Sequence, residues 1–123
     1  MQRKFRLSRS EDFKRVRLIG KSYAHPLVVL VARASETSTQ IRVGIAAGKR
    51  TGTAVRRNRA KRLLREAMRP MLSSLASGWD LVLIARPALV TATLADTRLA
   101  VKALLQRAKI LSADESGRRN PFT

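Results

Sequence analysis

Apolar residues recur along this chain in two rhythms, one helical and one extended. Residues 1–7 read as a basic extended arm carrying Phe5 and Leu7. Ser8-Arg9-Ser10-Glu11 fits a capping box, with Ser8 as N-cap and Glu11 reaching back, and predicts a helix to Leu18 before Gly20. Phe13 and Val16 share one side of that helix, while Lys14, Arg15 and Arg17 are charged. Leu27-Val28-Val29-Leu30-Val31-Ala32-Arg33 is β-branched and apolar at successive positions, the mark of a strand covered on at least one side. After a polar turn at 35–39, residues 40–47 alternate, with Ile41, Val43 and Ile45 on one face and Arg42, Gly44 and Ala46 on the other. These two strands are expected to form an antiparallel hairpin, and a further short strand can be placed at 21–24.

The glycine-bearing loop 48–53 leads to Thr53, a suitable N-cap for a helix over 54–69. Ala60, Leu63, Leu64, Ala67, Met68 and Met71 supply its buried stripe at helical spacing. Pro70 ends or kinks it, with a short helical turn following to Leu75. A strand over 79–86 centres on Leu81-Val82-Leu83-Ile84, again apolar on both faces, and Pro87 closes it. Thr93 can cap a last helix to Leu111 that buries Leu94, Val101, Leu104, Leu105 and Ala108. The order is α-β-β-α-β-α, too few strands for a doubly wound sheet, so the expected fold is a small two-layer α+β sandwich. The domain is expected to span 1–111, with 112–123 a disordered tail.

Charge changes the picture. Lys and Arg total 26 against 8 acids, a net +18 on 123 residues, and a small domain with that imbalance calls for a polyanion. Aromatic content is only 4%, so the core must rest on aliphatic residues. There is no cysteine, which excludes disulfides and thiolate metal sites. The basic N-terminus leads into no apolar run of signal-peptide length, and the apolar stretch 27–32 is too short to span a bilayer. A cytoplasmic protein with no membrane partner is expected.

The chain offers little for catalysis on its own. Of the eight acids, only Glu11-Asp12 and Asp114-Glu115 are close in sequence, and adjacent helix positions point apart. The single histidine, His25, precedes a proline at a strand entrance and fits a strand-edge role. No Ser/His/Asp or Cys/His set and no metal-ligand spacing can be assembled. Gly48-Lys49-Arg50-Thr51-Gly52-Thr53 lacks the ending of a nucleotide P-loop, yet a glycine loop before a helix N-terminus suits a backbone phosphate. The strong signal is 49–69, with nine basic residues against Glu66 alone. Arg57, Lys61 and Arg65 stand at i, i+4 and i+8 and repel one another, with Asn58 and Arg62 beside them. Seven of the nine are arginine, suited to bidentate phosphate contacts and base stacking. Composition leaves RNA and DNA both open. A DNA-binding regulator would want a second helix closely preceding the basic one, and strands precede it instead.

The run Arg42-Val43-Gly44-Ile45, then Lys49-Arg50-Thr51-Gly52-Thr53-Ala54-Val55-Arg56-Arg57-Asn58-Arg59-Ala60-Lys61-Arg62-Leu63-Leu64-Arg65-Glu66, resembles the signature of the bacterial ribonuclease P protein family. The likeness extends to Glu11-Asp12-Phe13 and Gly20 upstream and to the strand over 80–86 downstream. It implies a left-handed crossover through the basic helix. It also implies a protein subunit that assists 5′ maturation of precursor tRNA, with catalysis and the Mg²⁺ belonging to the RNA subunit. The expected partners are ribonuclease P RNA and precursor tRNA, with no DNA. By position, Arg57, Asn58, Arg59, Lys61, Arg62 and Arg65 would face the catalytic RNA. Phe13, Arg17, Val31, Lys49 and Arg50 would belong to or border a cleft for the single-stranded 5′ leader. The alternative on composition is a ribosomal or other structural RNA-binding protein.

Overall fold

A strand with apolar residues on both faces can only sit inside a sheet, and Trp79–Ala85 (β4) does so. The computed structural model describes residues 6–7, 10–35 and 40–111. In chain order they form α1 (Ser10–Ile19), β1 (Lys21–Ala24), β2 (Val28–Ala34), β3 (Arg42–Ala47), α2 (Ala54–Met68), β4 and α3 (Leu94–Arg107). Short 3-10 turns occupy Lys49–Thr51, Arg69–Ser74 and Pro87–Thr91. The capping box at Ser8 and the tail from 112 lie outside the described residues.

The sheet order is β1-β2-β4-β3. The optional strand at 21–24 is present, and it is β1 that pairs with β2, through a turn closed by His25 and Val28 backbone bonds of 3.0 and 3.2 Å. His25 Nδ1 accepts from the Leu27 N–H in the same turn. The hairpin expected between β2 and β3 does not form, because β4 lies between them, antiparallel to β2 and parallel to β3. Burial gives the reason. Leu81 and Leu83 enter one core while Val82 enters the other, with Ile84 against it, so β4 needs neighbours on both edges and cover on both faces.

The larger core holds Val28, Leu30, Val43, Leu81 and Leu83 beneath α2 and α3, which contribute Ala60, Leu64, Ala67, Val101, Leu104 and Leu105. On the opposite face α1 covers a smaller cluster of Leu7, Val16, Val31 and Val82. Thr53 and Thr93 cap α2 and α3, accepting from the Arg56 and Asp96 N–H groups. The third helix stops at Arg107 rather than Leu111. Lys109 takes a positive φ of 62°, and Ile110 and Leu111 turn back into the core.

Because β3 and β4 are parallel neighbours, the chain between them through α2 is a crossover. Val43 turns its side chain into the core under α2 and its carbonyl away from β4, where it accepts from Leu7 N–H at 2.9 Å. For an L-residue viewed from its side-chain face with the strand running upward, its own N–H and C=O point right. The neighbour β4 therefore lies to the left beneath α2, and the crossover is left-handed. About 98% of such connections are right-handed, so the hand alone narrows the fold to a rare type.

Gly44 on β3 is pressed against α1: an added Cβ would lie 2.4 Å from Phe13 Cζ. Gly44→Ala is expected to destabilise the protein by about 1–2 kcal/mol in urea unfolding, since the ring must tilt away. Gly48, with open space around it and a φ of −80°, should accept Ala with unchanged or slightly higher stability. Equal midpoints for the two variants would refute the tight apposition.

Candidate nucleic-acid interface

A straight helix advances about 100° per residue, and this sorts the cations of α2 once Ala60 and Leu64 are fixed in the core. Arg57, Lys61 and Arg65 line one flank and are half-buried, each about 6 Å along the axis from the next. Asn58 and Arg62 stand exposed on the crown. Arg59 falls on the other flank, where its Nε donates to the Val90 carbonyl at 2.7 Å. The residues expected to face one RNA thus spread over more than half the helix circumference, and Arg59 also pins α2 to the Pro87–Thr91 turn.

The Arg57 flank runs toward α1. Arg65 borders a notch of about 250 Å³ with Arg6, Leu7, Phe13, Gly44 and Ile45. Phe13 is half-buried with its ring tip on Gly44, so part of the ring serves packing. Arg17, one turn further along α1, is exposed. Val31 is 3% exposed and lies in the cluster under α1, so it forms the floor of this region and not its surface.

Lys49 and Arg50 are exposed in the 3-10 turn at the C-terminal end of β3, beside the first turn of α2. Arg50 shares a recess of about 410 Å³ with Gly48, Thr51, Ile84 and Arg86. Ile84 belongs to the sheet face that carries α1, which puts this recess and the Phe13 notch on one side of the sheet. The Thr51 hydroxyl is buried there without a hydrogen-bond partner. Neither Thr51 nor Arg86 stands out in the sequence; only the parallel pairing of Ala47 with Ala85 brings their loops together.

The sequence also gives no sign of an ion cluster at the foot of α1. Arg42 Nε and Nη2 each donate at 2.9 Å to the two oxygens of Asp80, its register partner on β4. Arg42 Nη1 stands 3.6 Å from Asp12, which also lies 3.7 Å from Arg15. The hydrogen bond to Asp80 holds the Arg42 pKa above its ordinary value, aided by the charges of Asp80 and Asp12 and opposed by burial. A raised pKa means the contribution of Arg42 is fully present below the unfolded-state value and is lost only in strongly alkaline solution, so it does not respond to pH near neutrality.

Arg59→Met is expected to cost about 1 kcal/mol of stability by removing the hydrogen bond to Val90. Arg62→Met, on the exposed crown, should stay within about 0.5 kcal/mol. Both should weaken binding to structured RNA. Equal stabilities in thermal unfolding would show that the Arg59 tether contributes nothing.

The family described as Ribonuclease P matches residues 1–109 of the chain. A ribonuclease P protein component from Herpetosiphon aurantiacus is 43% identical over 110 residues, 89% of each chain. Another from Brevibacillus brevis is 40% identical over 111 residues, covering 90% of this chain and 88% of the relative. Among solved structures, a Staphylococcus aureus RNase P protein mutant with defective mRNA degradation activity superposes with a TM-score of 0.80 at 29% identity, over 88% of this chain and 91% of that one. The match takes in the bridge of Arg6 to Val43 and every described strand and helix, and with the same fold in a solved member the chain belongs to the ribonuclease P protein family.

Proposed function

We propose that this protein subunit of ribonuclease P binds two RNA partners on adjoining parts of one basic surface. The ribonuclease P RNA lies against the crown and flanks of α2, through Arg57, Asn58, Arg59, Lys61, Arg62 and Arg65. The 5′ leader of precursor tRNA lies on the α1 side of the sheet, near Phe13 and Arg17 and between the Phe13 notch and the Lys49-Arg50 turn. Val31 supports that region from beneath. Family membership displaces the ribosomal reading that charge and size alone left open.

One observation carries the proposal. The Arg57, Lys61 and Arg65 stripe leads from the N-terminal half of α2 into the notch beside Phe13, so an RNA bound on the helix adjoins a strand bound under α1. An aromatic edge among cations is a suitable platform for a single strand, and arginine serves phosphates and bases alike.

Cleavage chemistry and Mg²⁺ are assigned to the RNA. Asp12 and Asp80, on the α1 side of the sheet, are engaged with Arg42. Among the described residues no group of three or more His, Cys, Asp or Glu side chains comes together. No described helix is long and apolar enough to cross a membrane. When bound to the RNA, Mg²⁺ supplies charge neutralisation at the scissile phosphate. The protein's cations reduce the repulsion among phosphates and so lower the metal concentration the assembly needs.

Precursor-tRNA cleavage by the cognate RNA at low Mg²⁺ should be strongly raised by the protein and not by an equally basic control protein. No rescue with the cognate RNA would sink the proposal. Replacing Arg57 and Lys61 with Ala should lower the log–log salt slope of RNA binding by roughly one unit for each phosphate left without its cation. Substituting Arg118 and Arg119 should change it less, and equal slopes would contradict the assigned surface.

A further inference from the structure

The first helix has slight apolar footing. Val16 is its one buried residue, and Leu18 and Ile19 at its end are 81% and 61% exposed. Beside Val16, what orients it is Phe13 on Gly44, the close approach of Gly20 to Val31 and the Ala32 carbonyl, and the ion cluster at its first turn.

That cluster has a definite architecture. Arg42 and Asp80 are register partners on β3 and β4, on the face that carries α1, and their bidentate contact makes a rigid base within the sheet. The remaining terminal nitrogen of Arg42 faces the Asp12 carboxylate, which is largely covered at 18% side-chain exposure. Arg42 and Gly44 stand two apart on β3, and Asp12 and Phe13 are adjacent on α1. The helix is therefore fastened at two neighbouring points, one ionic and one apolar, against a single strand.

We infer that Asp12 is a positioning residue for the leader cleft: through Arg42 it locks the first turn of α1 to the β3–β4 pair and so sets where Phe13 and Arg17 stand. This role rests on the proposal that the leader lies along α1. Asp12 itself touches no RNA. It is an acid beside a polyanion, and electrostatics alone would make its removal favour RNA binding; the positioning role gives the opposite sign for precursor.

Glu11 supplies the control. It sits in the same helical turn, carries the same charge toward the helix N-terminus, and is exposed away from Arg42. Asp12→Asn and Glu11→Gln remove equal charge and comparable helix-end stabilisation, and only the first breaks the clamp.

The test uses the holoenzyme with its cognate RNA and measures affinity for a precursor tRNA and for the same tRNA without its leader. Asp12→Asn should lower the precursor-to-mature affinity ratio by about 2- to 5-fold, the worth of one partly exposed ion pair, with mature tRNA affinity unchanged or higher. Glu11→Gln should leave the ratio as in the wild type. Hydrogen exchange of the free protein should show α1 amides opening faster in Asp12→Asn than in Glu11→Gln, with β2 and β4 unchanged. Matching ratios for the two variants would overturn the inference, as would α1 exchange that Asp12→Asn leaves unaltered. A wild-type holoenzyme that does not distinguish precursor from mature tRNA would instead remove the leader reading, and the positioning role with it, while unequal exchange would still register the clamp.

Discussion

The burial of β4 on both faces is the constraint from which the rest of this structure follows. Leu81 and Leu83 require a layer on one side and Val82 and Ile84 a layer on the other, so β2 and β3 must flank the strand and helices must cover both faces. With β3 held parallel to β4, α2 becomes the crossover between them and is packed by one stripe alone. Its other faces are left to solvent, and those are the faces that carry the cations. The surface proposed to bind RNA is thus the unburied remainder of a helix whose place is set by the sheet.

Such a helix could not stand by its own side-chain pairs. Arg57, Lys61 and Arg65 repel at each turn, and the one acid of α2, Glu66, is paired with Arg69 at 2.8 Å beyond the helix's end. Stability has to come from Ala60, Leu64, Ala67 and Met68 in the core, from the Thr53 cap, and from Arg59 on the Val90 carbonyl. Bound phosphate would remove the repulsion, so RNA binding and the stability of α2 reinforce one another through the same charges.

Much of this was legible in the sequence because it is local. Periodicity gave the helices, the capping residues Thr53 and Thr93, the strand cores and the cationic stripe of α2, and the family signature gave the crossover's hand. Partnership between distant segments was not legible. The pattern of 27–33 and 40–47 fits a hairpin as well as it fits two strands separated by a third, and the choice is made by β4, far along the chain. Likewise periodicity orders Arg57, Arg59 and Arg65 around a helix but cannot say that Arg59 meets Val90 or that Arg65 meets the Phe13 notch. Val31, apolar in an apolar run, could be read as floor or as wall; the position of α1 makes it floor.

The placement of the acids shows how one surface keeps structural and ligand-binding cations apart. A chain with 26 basic residues cannot neutralise them with 8 acids, so the position of each acid decides which cations are withdrawn from RNA binding. Arg42 receives two, Asp80 in register beside it and Asp12 from the helix above, although it lies on the face proposed for the leader. A guanidinium held by two carboxylates is a poor phosphate ligand and a good fastener, since its charge is satisfied within the protein and its geometry is fixed. Arg65, at the rim of the notch that Phe13 and Gly44 line, has no carboxylate within salt-bridge distance among the described residues. On this basis the arginines here divide by their acids: Arg42 is held within the protein, and Arg65 keeps its charge for the RNA proposed to lie along α2.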